Sequence, residues 1–165
     1  MRRFLTRFRV ALGFALAAFV LWLARPAWNT WAAGAVIAAS GELLRLWAAG
    51  HLEKSLEVTA SGPYRYVRHP LYMGSSLIGV GLALASTNLV VAAIIGIYLG
   101  LTLSAARRSE EAHLREKFGD AYDAYAQKRA PAVERTFSWQ RAIHNREHHT
   151  IAGMLIGLAA LAFKL

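Results

Sequence analysis

Fourteen residues between two long apolar runs hold most of the chemistry-bearing side chains: Ser61-Gly62-Pro63-Tyr64-Arg65-Tyr66-Val67-Arg68-His69-Pro70-Leu71-Tyr72-Met73-Gly74. Gly62-Pro63 is turn chemistry. Pro70 biases His69 away from the α region and suits the first position of a following helix, so His69 is predicted to cap that helix. Three phenol rings, two guanidinium groups and an imidazole then gather where a helix N-terminus offers unpaired N–H groups and partial positive charge. Such a place suits an anionic or zwitterionic ligand.

A second polar stretch follows forty residues later. Leu114 and Phe118 fall four and eight residues after Glu110, which puts Glu110 on the apolar stripe of a helix with Arg107 and His113 three residues to either side. Glu111 is turned away by about 100°. Gly119-Asp120 reads as a helix stop and a new cap, leading into a short helix with Tyr122 and Tyr125.

The elements that position these residues are apolar helices. The 165 residues are 56% hydrophobic, and sixteen of the nineteen Lys and Arg residues cluster in the tail before residue 10, in 54–68 and in 107–146, on one predicted membrane face. That distribution fits a cytoplasmic face against anionic lipid better than a nucleic-acid groove. Residues 10–24 form a first helix in this reading, retained rather than cleaved as a signal peptide. Residues 27–50 form a second, with Trp28 and Trp31 as interface anchors and Glu42 with Arg45 either as a mutual ion pair or as part of a site. Residues 71–86 and 89–106 make a hairpin about the uncharged Thr87-Asn88 turn, its outer end. The remainder, 151–163, is apolar but short, either a fifth helix across the membrane or an interfacial one. The whole is one domain, an all-α integral membrane bundle of four to five transmembrane helices, with the N-terminus and the site cytoplasmic.

Several bland readings belong beside the sharp ones. Gly79-x-Gly81 lacks the third glycine of a dinucleotide loop, Leu84 standing there, so helix packing accounts for it and for Gly96-x-x-x-Gly100. His144 and His148 share a helical spacing with Glu147 between them, but no wider metal motif supports them, and no metal is expected. With no cysteine in the chain, disulfides and thiolate chemistry are removed.

Gly62-Pro63-Tyr64 followed by Arg68-His69-Pro70-x-Tyr72-x-Gly74, then Glu110-Glu111 with Phe118-Gly119-x-x-Tyr122-x-x-Tyr125, resembles the isoprenylcysteine carboxyl methyltransferase family. The related phospholipid methyltransferases share much of this pattern, which covers about residues 46–131. The resemblance implies S-adenosyl-L-methionine as the cofactor and a lipophilic methyl acceptor entering from the bilayer among membrane lipids. It also implies cofactor contacts from Leu56, Glu57, Val58 and Thr59, from Tyr64, from His69, Pro70, Leu71 and Tyr72, and from Glu110. The segment 56–59 matches by position rather than by residue type.

With that cofactor, ring faces of Tyr64 and Tyr72 suit the adenine, Glu110 the ribose diol, and Arg68 with His69 the methionine carboxylate. Methyl transfer from a sulfonium is an in-line displacement that needs alignment and dryness more than a metal or a covalent nucleophile. A carboxylate acceptor needs an orienting cation, for which Arg107 is the first choice and Arg108 the second; Arg107 and Glu110 are the expected catalytic pair. An amine acceptor of the phosphatidylethanolamine type is the alternative. Membrane sterol reductases carry a similar C-terminal pattern, but an NADPH site and a large lipid cavity sit poorly in so short a chain. A membrane scaffold without activity is the outermost reading.

Overall fold

The computed structural model describes residues 17–130 and 133–165. The basic tail before residue 10 and residues 10–16 of the expected first helix fall outside them. Every regular element among the described residues is helical: α1 (17–23), α2 (Trp28–Ala49), a 3-10 turn (Gly62–Arg65), α3 (Pro70–Ser86), α4 (Leu89–Phe118), α5 (Asp120–Ala126), α6 (Trp139–His144) and α7 (Glu147–Ala162).

Among the described residues two helices, α2 and α4, are long and apolar enough to cross a membrane. The seam between α2 and α3 is built on glycine. A Cβ on Gly41 would lie 2.6 Å from the Gly74 carbonyl oxygen, and one on Gly81 would lie 2.5 Å from that of Gly34. Two backbones this close gain dispersion contact along the whole seam, which is how helices associate where no water drives them together. Helix α7 packs against both α2 and α3. Met154, Leu158 and Leu161 join Ala38, Ile78 and Ala85 in the buried core, and the Trp31 indole donates to the Leu158 carbonyl at 3.0 Å. Trp31 is therefore a packing residue rather than the interface anchor its position suggested; Trp28, 67% exposed, stays outside.

The Thr87-Asn88 turn forms as expected. Thr87 is left-handed at φ 49°, and the Asn88 side chain accepts from the Val90 and Val91 N–H groups while donating to the Leu23 carbonyl. From there α4 runs unbroken through the boundary near residue 106 where its composition changes, because Ala105, Ala106 and the Arg and Glu residues beyond are all good helix formers. Its thirty residues span about 45 Å, against about 30 Å of hydrocarbon. The apolar part, 89–106, is the length a bilayer needs, and 107–118 projects past it. Val91 is the only buried residue of α4, and Leu89, Ile97 and Leu101 lie uncovered, a face suited to lipid. Gly79 packs against Leu99 of α4, whereas Gly96 and Gly100 meet nothing, so the packing role expected of that pair finds no partner among the described residues.

The C-terminal segment closes the end of α2. Asn145 donates to the Ala49 and Leu52 carbonyls at 3.0 Å each, and Arg141 to that of Gly50 at 2.8 Å, satisfying acceptors the helix end leaves open. His144 ends α6 and His148 lies beyond a left-handed Arg146, so the two do not share a helical face.

Candidate active site

Five segments meet at the projecting end of the bundle: the loop after α2, the turn into α3, the extension of α4, the short α5 and the start of α7. Each is placed by local chemistry. Gly62 takes a positive φ of 54° under the His51 ring, where any Cβ would collide, and this sends the chain into the 3-10 turn that buries Pro63 and Tyr64. His69 then caps α3 in the predicted manner, with Pro70 at the first helical position. The anion-binding quality expected of that helix end is reduced, because Pro70 has no N–H and those of Tyr72 and Met73 are bonded to the His69 carbonyl.

Across from the cap stands α4. His69 Nε2 lies 2.8 Å from Glu111 Oε1 and Nδ1 lies 3.9 Å from Glu110 Oε2. A carboxylate only accepts, so Nε2 carries the proton and Nδ1 turns toward Glu110. The His69 ring stacks on Tyr72 with centroids 5.5 Å apart. Glu111, expected to face away, is thus the residue that fixes the imidazole. Its bond to His69 holds its carboxyl below the usual carboxylate range, aided by the nearby Arg68 and Arg107 charges.

His69, Tyr72 and Glu110, with Arg68, line a cavity of about 580 Å³, within the range of sites for ligands of drug or cofactor size, and Glu111 stands outside its lining. Of the residues singled out from sequence, Glu57, Val58, Thr59, Tyr64, Arg68, His69, Leu71, Tyr72 and Glu110 reach it. Three do not. Leu56 is 75% exposed and points away, Pro70 is buried behind the wall as the first residue of α3, and Arg107 is exposed outside the lining. The α4 wall is instead Ala106, Ser109, Glu110, His113 and Leu114, a stripe whose centre lies to one side of Glu110 while Arg107 lies to the other.

Further residues line the cavity beside those assigned to the cofactor. Tyr122 and Tyr125 come from α5, which folds back once Gly119 reverses the chain at φ 47°. The Tyr125 hydroxyl donates to the Tyr64 carbonyl at 2.9 Å and is pushed up to about 12 by burial and by Tyr122. Burial likewise raises Tyr64 and Tyr122, so all three phenols stay protonated at neutral pH. The Tyr122 hydroxyl is fully buried and has no hydrogen-bond partner among the described residues. Arg45 and Glu147 form the floor. Arg45 donates to both Glu147 oxygens, at 2.6 and 3.1 Å, and to the Leu71 carbonyl, Ser75 and Thr150. Glu42 pairs with Arg45 at 3.9 Å, the ion pair expected within α2, and the shorter bond to Glu147 extends it into a clamp between α2 and α7. The loop 52–59 is held from outside by Arg135 on Glu57 at 2.7 Å and Arg141 on Glu53 at 3.5 Å.

The phospholipid methyltransferase family profile matches residues 8–121, well over half of the chain. The chain belongs to the phospholipid methyltransferase family. The match takes in the capped loop, His69 and Glu110, and ends just short of Tyr122. Among curated relatives, the nickel-cobalt-cadmium resistance protein NccN of Alcaligenes xylosoxydans is 38% identical over 90 residues, 53% of this chain and 41% of that protein. The cobalt-zinc-cadmium resistance protein CzcN of Cupriavidus metallidurans is 31% identical over 144 residues, 78% of this chain and 64% of its own length. The protein-S-isoprenylcysteine O-methyltransferase of Schizosaccharomyces pombe is 34% identical over 71 residues, 43% of this chain and 30% of that enzyme. The chain therefore spans between 30% and 64% of the length of these relatives. No solved structure matches. For a phospholipid methyltransferase family member, the residues present suit S-adenosyl-L-methionine: tyrosines, a carboxylate and basic groups line one cavity.

Proposed function

We propose that this chain is an S-adenosyl-L-methionine-dependent integral membrane methyltransferase, with four or five membrane helices and its site on the cytoplasmic face. The observation that carries the reading is the meeting of the His69 cap, Tyr64, Tyr72 and Glu110 around one cavity at the projecting end of an apolar bundle. The cofactor, when bound, supplies the methyl group on a sulfonium.

The chain's own residues do the rest. Tyr64 and Tyr72 offer ring faces for the adenine, Glu110 accepts from the ribose hydroxyls, and Arg68 with His69 takes the carboxylate. Glu111 holds the His69 ring in one orientation, so that the pocket is formed before the ligand arrives. Arg45, Glu147 and the buried phenols close the cavity against water.

The acceptor is lipophilic and enters from the bilayer. A carboxylate acceptor is the first reading, after the motif pattern. An amine headgroup is the second, favoured by the family profile and by the placement of Arg107 outside the cavity. Calorimetric titration of the detergent-purified protein with S-adenosylhomocysteine, and separately with NADPH, tests the cofactor class. Saturable binding of the first, weakened by Glu110→Ala, is expected; binding of NADPH alone would overturn the methyltransferase reading. Incubation with methyl-labelled cofactor and a lipid extract then separates an ester product, labile to mild base, from a base-stable methylamine.

A further inference from the structure

A second, smaller concavity lies on the far side of Tyr64 and Tyr125, in the crease between the 3-10 turn and the end of α5. Its volume is about 180 Å³. That is below the roughly 300 Å³ at which sites for drug-sized ligands begin, and large enough for a compact ion with a few waters. Three cations face it, Arg65, Arg68 and Lys128, and no carboxylate does. None of the three has an ion-pair partner among the described residues, although ion pairs tie Arg45, Arg115, Arg135 and Arg141 elsewhere.

The crease is built rather than incidental. Tyr125 pins the turn to α5 through its bond to the Tyr64 carbonyl. Lys128 is held left-handed at φ 57°, a conformation that costs a residue with a Cβ, by its N–H on Tyr125 and by the Arg129 N–H reaching back to Ala124. Three like charges about one small concavity repel each other unless an anion sits among them. Two forked guanidinium groups and an ammonium suit an ion that presents several oxygens in different directions and more than one negative charge.

We propose that this crease is a phosphate-binding site, separate from the methyl-transfer cavity and taking the phosphate of a lipid headgroup or free inorganic phosphate. Arg68 lines both cavities, so an anion in the crease changes the charge that the larger cavity feels. Arg65 and Lys128 face the crease alone.

The test titrates the full detergent-purified chain at low ionic strength with inorganic phosphate, and separately with a short-chain phosphatidic acid kept below its micelle concentration. Saturable binding is expected, weakened at least about tenfold in Arg65→Gln/Lys128→Gln, which removes two of three charge-assisted contacts. Lys128→Arg keeps the charge and should keep the binding. Phosphatidic acid binding much tighter than phosphate identifies a headgroup; equal affinity identifies the free ion. Absence of saturable binding to the unsubstituted chain, or undiminished binding in a double variant with an unchanged melting temperature, would overturn the proposal. A double variant that melts early is replaced by Arg65→Lys/Lys128→Gln under the same criteria. The readout is phosphate binding, so it holds or fails independently of the methyltransferase reading.

Discussion

A buried phenol with nothing to bond is an expense in the folded protein. The Tyr122 hydroxyl costs about 1–3 kcal/mol while it lacks a partner, and it is sealed off from the cavity that the rest of Tyr122 lines. Tyr122→Phe should therefore raise the melting temperature while leaving S-adenosylhomocysteine binding unchanged. Tyr125→Phe should lower the melting temperature, since its hydroxyl holds the Tyr64 carbonyl and thereby the turn. Calorimetry and a thermal melt on both variants separate the two outcomes. Glu111 gives a pH prediction. Its carboxyl is lowered in the folded state, so its contribution is present above the ordinary value of 4.5 and is lost as the pH falls through the lowered one. Melting curves from pH 7 downward should show a stability loss below pH 4.5 that is smaller in Glu111→Gln. The His69 cap was legible in sequence because Pro70 fixes it by local sterics. The Glu111 bond was not, because a helical wheel gives angles within one helix and not the side from which a partner in another element approaches. Arg107 shows the same limit: it shares a face with Glu110, but the cavity takes the opposite flank of that face.

At the scale of elements, glycine does different work at different places. Gly41 and Gly74 hold the α2–α3 seam at backbone contact, so Gly41→Leu should cost well over the 1–3 kcal/mol of ordinary overpacking, since what it strikes is main chain. Gly96→Leu on α4, where a Cβ meets nothing, should be neutral or stabilising through helix propensity. Chemical denaturation of the two variants in one detergent checks the contrast, and equal losses would refute it. Both glycine spacings look alike in sequence; the partner that distinguishes them is supplied by the tertiary arrangement. The hairpin at Thr87-Asn88 and the stop at Gly119 were legible, since turn residues act within a few positions. The docking of α7 was not. A single buried bidentate pair, Arg45 with Glu147, joins residues about a hundred positions apart, and charges that far along a chain carry no pairing signal. Arg45→Met leaves two buried carboxyl groups without their cation and should cost about 3–5 kcal/mol, read by the same denaturation.

For the molecule as a whole, the decisive asymmetry is the placement of charge along α4. Its apolar part begins at the uncharged Thr87-Asn88 turn and ends at Arg107-Arg108, beyond which the helix extends into the polar end that builds the cavity. In the orientation proposed above its basic end lies on the cytoplasmic side, since translocating arginine is costly and anionic lipid attracts it. The cavity, the phosphate crease and the C-terminal clasp all lie at that end, so one orientation fixes the side for every site at once. The chain contains no cysteine, and single cysteines can therefore report their own side without background. Leu89→Cys stands at the outer turn, 86% exposed, and Lys117→Cys near the end of the α4 extension. A membrane-impermeant maleimide applied to intact spheroplasts should label Leu89→Cys at once and Lys117→Cys only after lysis. The opposite pattern would place the cavity outside the cell, away from cytoplasmic S-adenosyl-L-methionine, and would remove the methyltransferase reading together with the orientation.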